Sequence, residues 1–168
     1  DMILLGPGSL YTIIIPNLLV KGVVDAISKS KAVKVYVCNV MTQEGETEGY
    51  TAFDHVKSIF QHSRDMLFDI CLVNSGPVAE HLVINYDKEG AGPTVIDREK
   101  FYTAGIELIE RHVIGEGGNL ARHNPRVLAA ELMAIHARKN PRPGIYGRYD
   151  RLILDWMREN MQPGGTGA

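Results

Sequence analysis

The run Val33-Lys34-Val35-Tyr36-Val37-Cys38, followed by Asn39, a polar stretch to Tyr50 and then Thr51-Ala52-Phe53-Asp54-His55-Val56, decides the fold class. Its first six residues have strand length and favour β-branched and aromatic side chains. They do not alternate cleanly between polar and apolar, as expected of a strand buried on both faces. Beyond the loop, Ala52, Val56, Ile59 and Phe60 recur at helical spacing, and Thr51 with Asp54 three residues on has the form of an N-cap and an approximate capping box. Working outward, the same strand, turn and helix recur. Met2 to Leu5 runs into Gly6-Pro7-Gly8-Ser9, after which Leu19, Val20, Val23, Val24 and Ile27 form one helical stripe. Phe68 to Val73 runs into Asn74-Ser75-Gly76-Pro77. The expectation is an α/β fold, a mostly parallel sheet with helices on both faces.

After the third strand the pattern weakens. Between Tyr86 and Gly118 a helix near Glu99 to Gly105 and a short strand near Leu108 to Ile114 are expected. A helix then starts at Pro125, a favourable first helical position, and runs to about Arg138 with Leu128, Leu132 and Ile135 inward. From Asn140, Pro141, Pro143, Gly144 and Gly147 interrupt a stretch carrying Arg142, Arg148 and Arg151, which reads as a linker. The expected organisation is an α/β domain over 1–139, a linker with a short amphipathic helix near Trp156 over 140–161, and a disordered tail over 162–168.

Composition narrows the function classes. The 168 residues are 45% hydrophobic, enough for one domain with its own core, and carry 18 Lys+Arg against 20 Asp+Glu. A formal charge of -2 gives no broad basic field for nucleic acid or anionic lipid. The longest apolar stretch, Ile13 to Val20, is broken by Pro16-Asn17 and falls short of the roughly 20 residues that span a bilayer. Neither membrane insertion nor a signal peptide is expected. Cys38 and Cys71 each sit inside an apolar run, where a reduced thiol acts as a small core residue, and this suits the cytoplasm. The chain opens at Asp1 directly on an apolar run, as though cut from a longer protein.

In parallel α/β sheets ligands bind at the carboxyl ends of the strands, so the three turns hold the candidate site residues. In the first, Gly6 and Gly8 allow close backbone approach while Ser9 and Thr12 add hydroxyls near a helix start. That combination suits a phosphate, and equally suits a tight turn that needs glycine for geometry alone. The loop from Asn39 to Tyr50 exceeds the usual 2 to 6 residues of a βα connection. Asn39, Thr42 and Gln43 are candidates to bind a base or sugar hydroxyls. Glu44, Glu46 and Glu48 fit a solvated acidic loop better than a cation site. Asn74 suits a helix cap or a ligand contact. Tyr86 is a candidate for stacking on a base or for partial burial in the core. Arg122, beside the helix that starts at Pro125, fits a surface ion pair better than a phosphate contact. The histidines and cysteines show no metal-ligand spacing, and no nucleophile is paired with a base, so neither a metal centre nor a catalytic residue is assigned.

Three segments carry a resemblance: Leu5-Gly6-Pro7-Gly8-Ser9-Leu10-Tyr11-Thr12, Ile15 to Gly22, and above all Cys38-Asn39-Val40-Met41-Thr42-Gln43-Glu44-Gly45-Glu46-Thr47. Over roughly Asp1 to Arg138 the chain resembles the YvcK-type gluconeogenesis factors of the CofD-like superfamily. The resemblance implies a Rossmann-like three-layer α/β/α fold with a mostly parallel sheet. The chain would be its C-terminal half, the N-terminal part with its glycine-rich turn being missing. It also implies a cytoplasmic protein that binds UDP-sugars such as UDP-N-acetylglucosamine and UDP-glucose, addresses protein partners of cell-wall synthesis, and acts in cell shape and growth on gluconeogenic carbon, with a homo-oligomer left open. On the matching pattern, Tyr86 and Arg122 become nucleotide-sugar contacts. Pro125 stands where some members carry a phosphorylatable Thr. The CofD branch instead implies a phospholactate transferase acting on a deazaflavin with Mg2+.

Overall fold

The computed structural model describes residues 1–115, 119–141 and 143–160; the tail expected over 162–168 lies outside them. They divide into two compact units, the first Asp1–His112 and the second starting at Val113.

In the first unit, β1 (Met2–Leu5), β2 (Val33–Val37), β3 (Ile70–Asn74) and β4 (Glu107–Arg111) form a four-stranded sheet in the order β1-β2-β3-β4. Every pairing is parallel, with Leu4 opposite Val35, Val35 opposite Ile70 and Ile70 opposite Glu107. The fold is α/β, as the strand and helix alternation requires. A π-helical turn (Leu10–Ile14), α1 (Ile15–Leu18) and α2 (Val23–Lys29) join β1 to β2, α3 (Ala52–Ser63) joins β2 to β3, and α4 (Glu80–Asp87) and α5 (Arg98–Ala104) join β3 to β4. Each connection steps one strand in the same direction, and right-handed crossovers of that kind put their helices on a common face, here α1, α2, α3 and α5. The core agrees: Leu5, Tyr36, Cys38, Cys71 and Val73 cluster with Ile14, Ile15 and Leu18, with Val56 and Ile59, and with Phe101. The alternate strand positions Val35, Val37, Ile70, Leu72 and Ile109 are buried as well. Each such side chain contributes roughly 1.5–3 kcal/mol relative to an exposed one.

Two helical expectations change. The stripe drawn through Leu19, Val20 and Val23 is not one helix, because Gly22 at φ 87 interrupts the chain before α2, leaving Leu19 and Val20 exposed. In the second unit, α6 (Pro125–Lys139) is capped by Asn124, whose side chain accepts from the amides of Arg126 and Val127. The following stretch is not a linker with a short terminal helix; α7 spans Gly144–Asn160. Proline before a helix and glycine at its first residue do not prevent it, since the first helical amides have no intrahelical partner to lose. Among the described residues no single helix is long and apolar enough to cross a membrane.

Candidate functional site

The carboxyl ends of β1, β2 and β3 bring the three turns side by side. At the first, Gly6 has φ 81, and a Cβ there would lie 2.8 Å from the carbonyl oxygen of Val37 on the neighbouring strand. Glycine is required twice over, by conformation and by contact. Gly8 has no such constraint, its nearest neighbour being the Ile13 side chain at 3.4 Å. Ser9 caps the π-helical turn by accepting from the Thr12 amide at 3.3 Å, and its hydroxyl donates to Glu46 Oε1 at 2.5 Å. The Ser9 and Thr12 hydroxyls also meet. The first turn is thereby braced to the long loop.

Within that loop the candidate residues divide. Thr42 is buried and bound to Gly92, its amide donating to the Gly92 carbonyl at 2.8 Å and its hydroxyl accepting from the Gly92 amide at 2.9 Å. Gln43 fixes the loop through its backbone, its amide donating to Thr47 Oγ1 at 2.9 Å, and keeps its side chain in solvent. Asn39 is half-buried, and its side chain makes no hydrogen bond among the described residues, which leaves both amide donors and the carbonyl for a ligand. The three glutamates diverge: Glu44 is exposed, Glu46 binds Ser9, and Glu48 accepts from the Gly45 amide, a bond that holds its carboxyl below the usual range. Among the described residues no group of three His, Cys, Asp or Glu is placed to hold a metal ion.

At the third turn, Asn74 closes on Gly76, its Nδ2 donating to the Gly76 carbonyl at 2.8 Å and its Oδ1 accepting from the Gly76 amide at 3.3 Å. The ring of His112, just beyond β4, lies where a Gly76 Cβ would be. Beside this turn opens a cleft of about 500 Å³ between the ends of β2 and β3, with Val40, Pro77, Val83 and Ile96 among its walls and Asn74, Ser75, Thr94 and Arg98 as polar groups. Arg98 is held by both oxygens of Glu110, at 2.7 and 2.6 Å. Tyr86 is half-buried on α4, three residues beyond Val83 and so on the same helix face. Arg122 belongs to the second unit, where it is exposed and its carbonyl accepts from the Gly115 amide at 2.8 Å. Nine of the ten site residues expected from sequence lie in the first unit, on the three turns and α4, and of these Asn74 alone lines the cleft.

Sequence reasoning passed over the segment from Gly92 to Asp97. Asp97 Oδ1 accepts from the Phe53 amide at 3.0 Å and Oδ2 from Thr51 Oγ1 at 2.7 Å, while Lys100 pairs with it at 2.9 Å. Burial alone would raise its carboxyl, but the bonds from Lys100, Thr51 and Phe53 outweigh burial and hold it below the usual range. An aspartate 46 residues from Thr51 leaves no local signal of this contact.

The fold is shared by known proteins. The family described as 2-phospho-L-lactate transferase CofD matches residues 1–114. The chain belongs to that family. It is 45% identical to a gluconeogenesis factor from Halalkalibacterium halodurans over 74% of this chain and 38% of the relative. It is 42% identical to a gluconeogenesis factor from Bacillus subtilis over 80% of this chain and 43% of that one. A crystal structure of a Bacillus halodurans protein superposes with a TM-score of 0.76 at 42% identity, over 79% of this chain and 43% of the other. The chain therefore spans about two-fifths of the length of the relatives it matches.

Proposed function

We propose that this chain forms part of the UDP-sugar site of a gluconeogenesis-factor type regulatory protein, one that acts through ligand-dependent contacts with proteins of cell-wall synthesis in the cytoplasm. Cell shape and growth on gluconeogenic carbon would be the processes it serves. The cleft at the ends of β2 and β3 carries the reading. Its volume of about 500 Å³ falls in the range of small-molecule sites, and it opens at the carboxyl ends of parallel strands. Apolar walls suit a base, while Ser75 and Thr94 offer hydrogen bonds to its edge or to a sugar. Asn39 supplies an uncommitted amide nearby in the same row of turns. Calorimetric titration with UDP-N-acetylglucosamine and UDP-glucose tests this. Saturable heat is expected, weakened about tenfold in Asn39→Ala, the equivalent of about 1.4 kcal/mol. No heat up to millimolar ligand would end the reading, and unchanged binding by Arg122→Ala would remove Arg122 from the site.

The matched family description favours a second reading, transfer of a phospholactyl-type group to a deazaflavin with Mg2+. Mg2+ is held through carboxylates and substrate phosphates. Among the described residues no group of three His, Cys, Asp or Glu is placed to hold a metal ion, and the carboxylates at the turns are engaged elsewhere: Glu46 Oε1 accepts from Ser9, and Asp54 and Asp97 accept from the start of α3. No step is assigned to the metal. Product formation from a deazaflavin and an activated phospholactate donor would favour the transferase over the regulator.

A further inference from the structure

The second unit carries an apolar surface that its own helices leave open. Along α7, Gly147 is buried and Leu154 and Met157 are half-buried, and the helix packs against α6. The other side carries Leu152, Ile153 and Trp156, which stay 64%, 55% and 57% exposed. Single exposed apolar residues are ordinary, but neighbours on one side of a helix form a patch, and patches mark interaction surfaces. This one lies outside both the family match, residues 1–114, and the cleft of the first unit. Its composition indicates what covers it. Arg148, Leu152 and Trp156 are spaced by four residues and so lie in one row along the helix surface, with Ile153 beside it. Laid antiparallel across a second copy about Leu152, the row is self-complementary: Leu152 meets Leu152, and Arg148 of each copy meets Trp156 of the other. A guanidinium over an indole face is a favourable cation–π pair, and two-fold symmetry forms it twice. Parallel pairing would instead set Arg148 against Arg148. Asp155, exposed beside the same row, disfavours an anionic lipid surface as the occupant.

We propose that α7 is a homodimerisation helix: two copies of the chain pair antiparallel through Leu152, Ile153 and Trp156, with the Arg148 guanidinium of each copy seated on the Trp156 ring of the other. Arg148 is exposed and makes no ion pair among the described residues, so the guanidinium is available for that contact. Rows of side chains four residues apart interdigitate when two helices cross at about −50°, which brings the Leu152 side chains to the crossing point. One helix face per copy is a small contact beside the roughly 1,200–2,000 Å² of stable interfaces, so the dimer forms reversibly at micromolar concentration.

Trp156 is the single tryptophan of the chain, so its fluorescence reports on this contact alone. Sedimentation equilibrium and Trp156 emission are followed on the whole chain from about 1 μM to about 300 μM. The mass is expected to rise from monomer to dimer, with a blue shift of the emission at the same midpoint. Leu152→Glu sets two carboxylates face to face at the crossing and should hold the chain monomeric with red-shifted emission throughout. Because Leu152 is exposed, its helical circular dichroism should match the parent. Arg148→Ala should raise the dissociation constant about tenfold, while Arg148→Lys keeps most of the affinity. A chain that stays monomeric over the whole range overturns the proposal. A dimer that survives Leu152→Glu does so too, since its contact lies elsewhere, and a dimer indifferent to Arg148→Ala overturns the antiparallel pairing. Emission that is already blue at the lowest concentration and unmoved by association would show the ring covered within its own chain, which also ends the proposal.

Discussion

Gly6 and Gly76 both stand in the turns that carry the site, and both would collide with neighbours if a methyl were added, but the neighbours differ in what they can do. At Gly6 the obstacle is the Val37 carbonyl oxygen, fixed in the β2 backbone, and φ 81 adds strain of its own. Gly6→Ala should cost about 2–5 kcal/mol, combining left-handed strain with overpacking, and urea unfolding would read it as a lower midpoint at unchanged slope. At Gly76 the obstacle is the His112 ring, 2.1 Å away but attached to an exposed side chain that can rotate. Gly76→Ala should stay within about 1 kcal/mol, a surface-type change, while shifting the His112 NMR signals. The need for glycine at the first turn was legible because Gly-Pro-Gly-Ser is a local signal. The use of Ser9 was not, since its proton goes to a glutamate 37 residues away.

At the scale of elements, the start of α3 shows what local sequence can and cannot carry. The Thr51 and Asp54 box reads directly from three-residue spacing, and both of its bonds are present. Asp97 then adds a second carboxylate to the same helix start, where backbone amides and the helix dipole favour negative charge. Both carboxyls sit below the usual range. For Asp54, burial would raise it, but the bonds from Thr51 prevail. Their folded values being depressed, they contribute stability that is complete above the unfolded value of about 3.9 and lost as pH falls through the folded values. Acid unfolding should therefore steepen below about pH 4. Asp97→Asn should flatten that limb and cost about 1–3 kcal/mol at neutral pH, measured by urea titration at several pH values. A neutral-pH stability equal to the parent would show that the Asp97 contacts contribute nothing. The elements misread from sequence failed for a related reason. Leu19 and Val20 have helical spacing, but Gly22 at φ 87 decides the geometry, and Pro141 with Gly144 marks a helix beginning as readily as a linker.

At the scale of the molecule, the sheet sets which groups are chemically silent. Cys38 and Cys71 lie on the inner strands' region, the Cys38 amide donating to Leu72 of β3 and Cys71 opposite Tyr36 of β2, and both thiols are buried and unpaired. Burial pushes the Cys38 thiol up to about 12 and the Cys71 thiol well above its ordinary value. Thiolate is the reactive species, so neither should react with a disulfide reagent while the sheet is closed. The neighbouring strands shield both thiols, and local fraying of a turn exposes neither. Their modification should require opening of the sheet and should occur for both at one rate set by global stability. A ligand that binds only the folded chain then slows modification by the factor 1 + [L]/Kd, about a hundredfold at 100 times Kd. Thiol modification followed with and without UDP-N-acetylglucosamine thus reads the sheet and the cleft in one measurement. One thiol reacting rapidly in native buffer would show a local opening at its strand. Two slow thiols indifferent to the sugar nucleotide would leave the sheet as described and remove the UDP-sugar from the cleft.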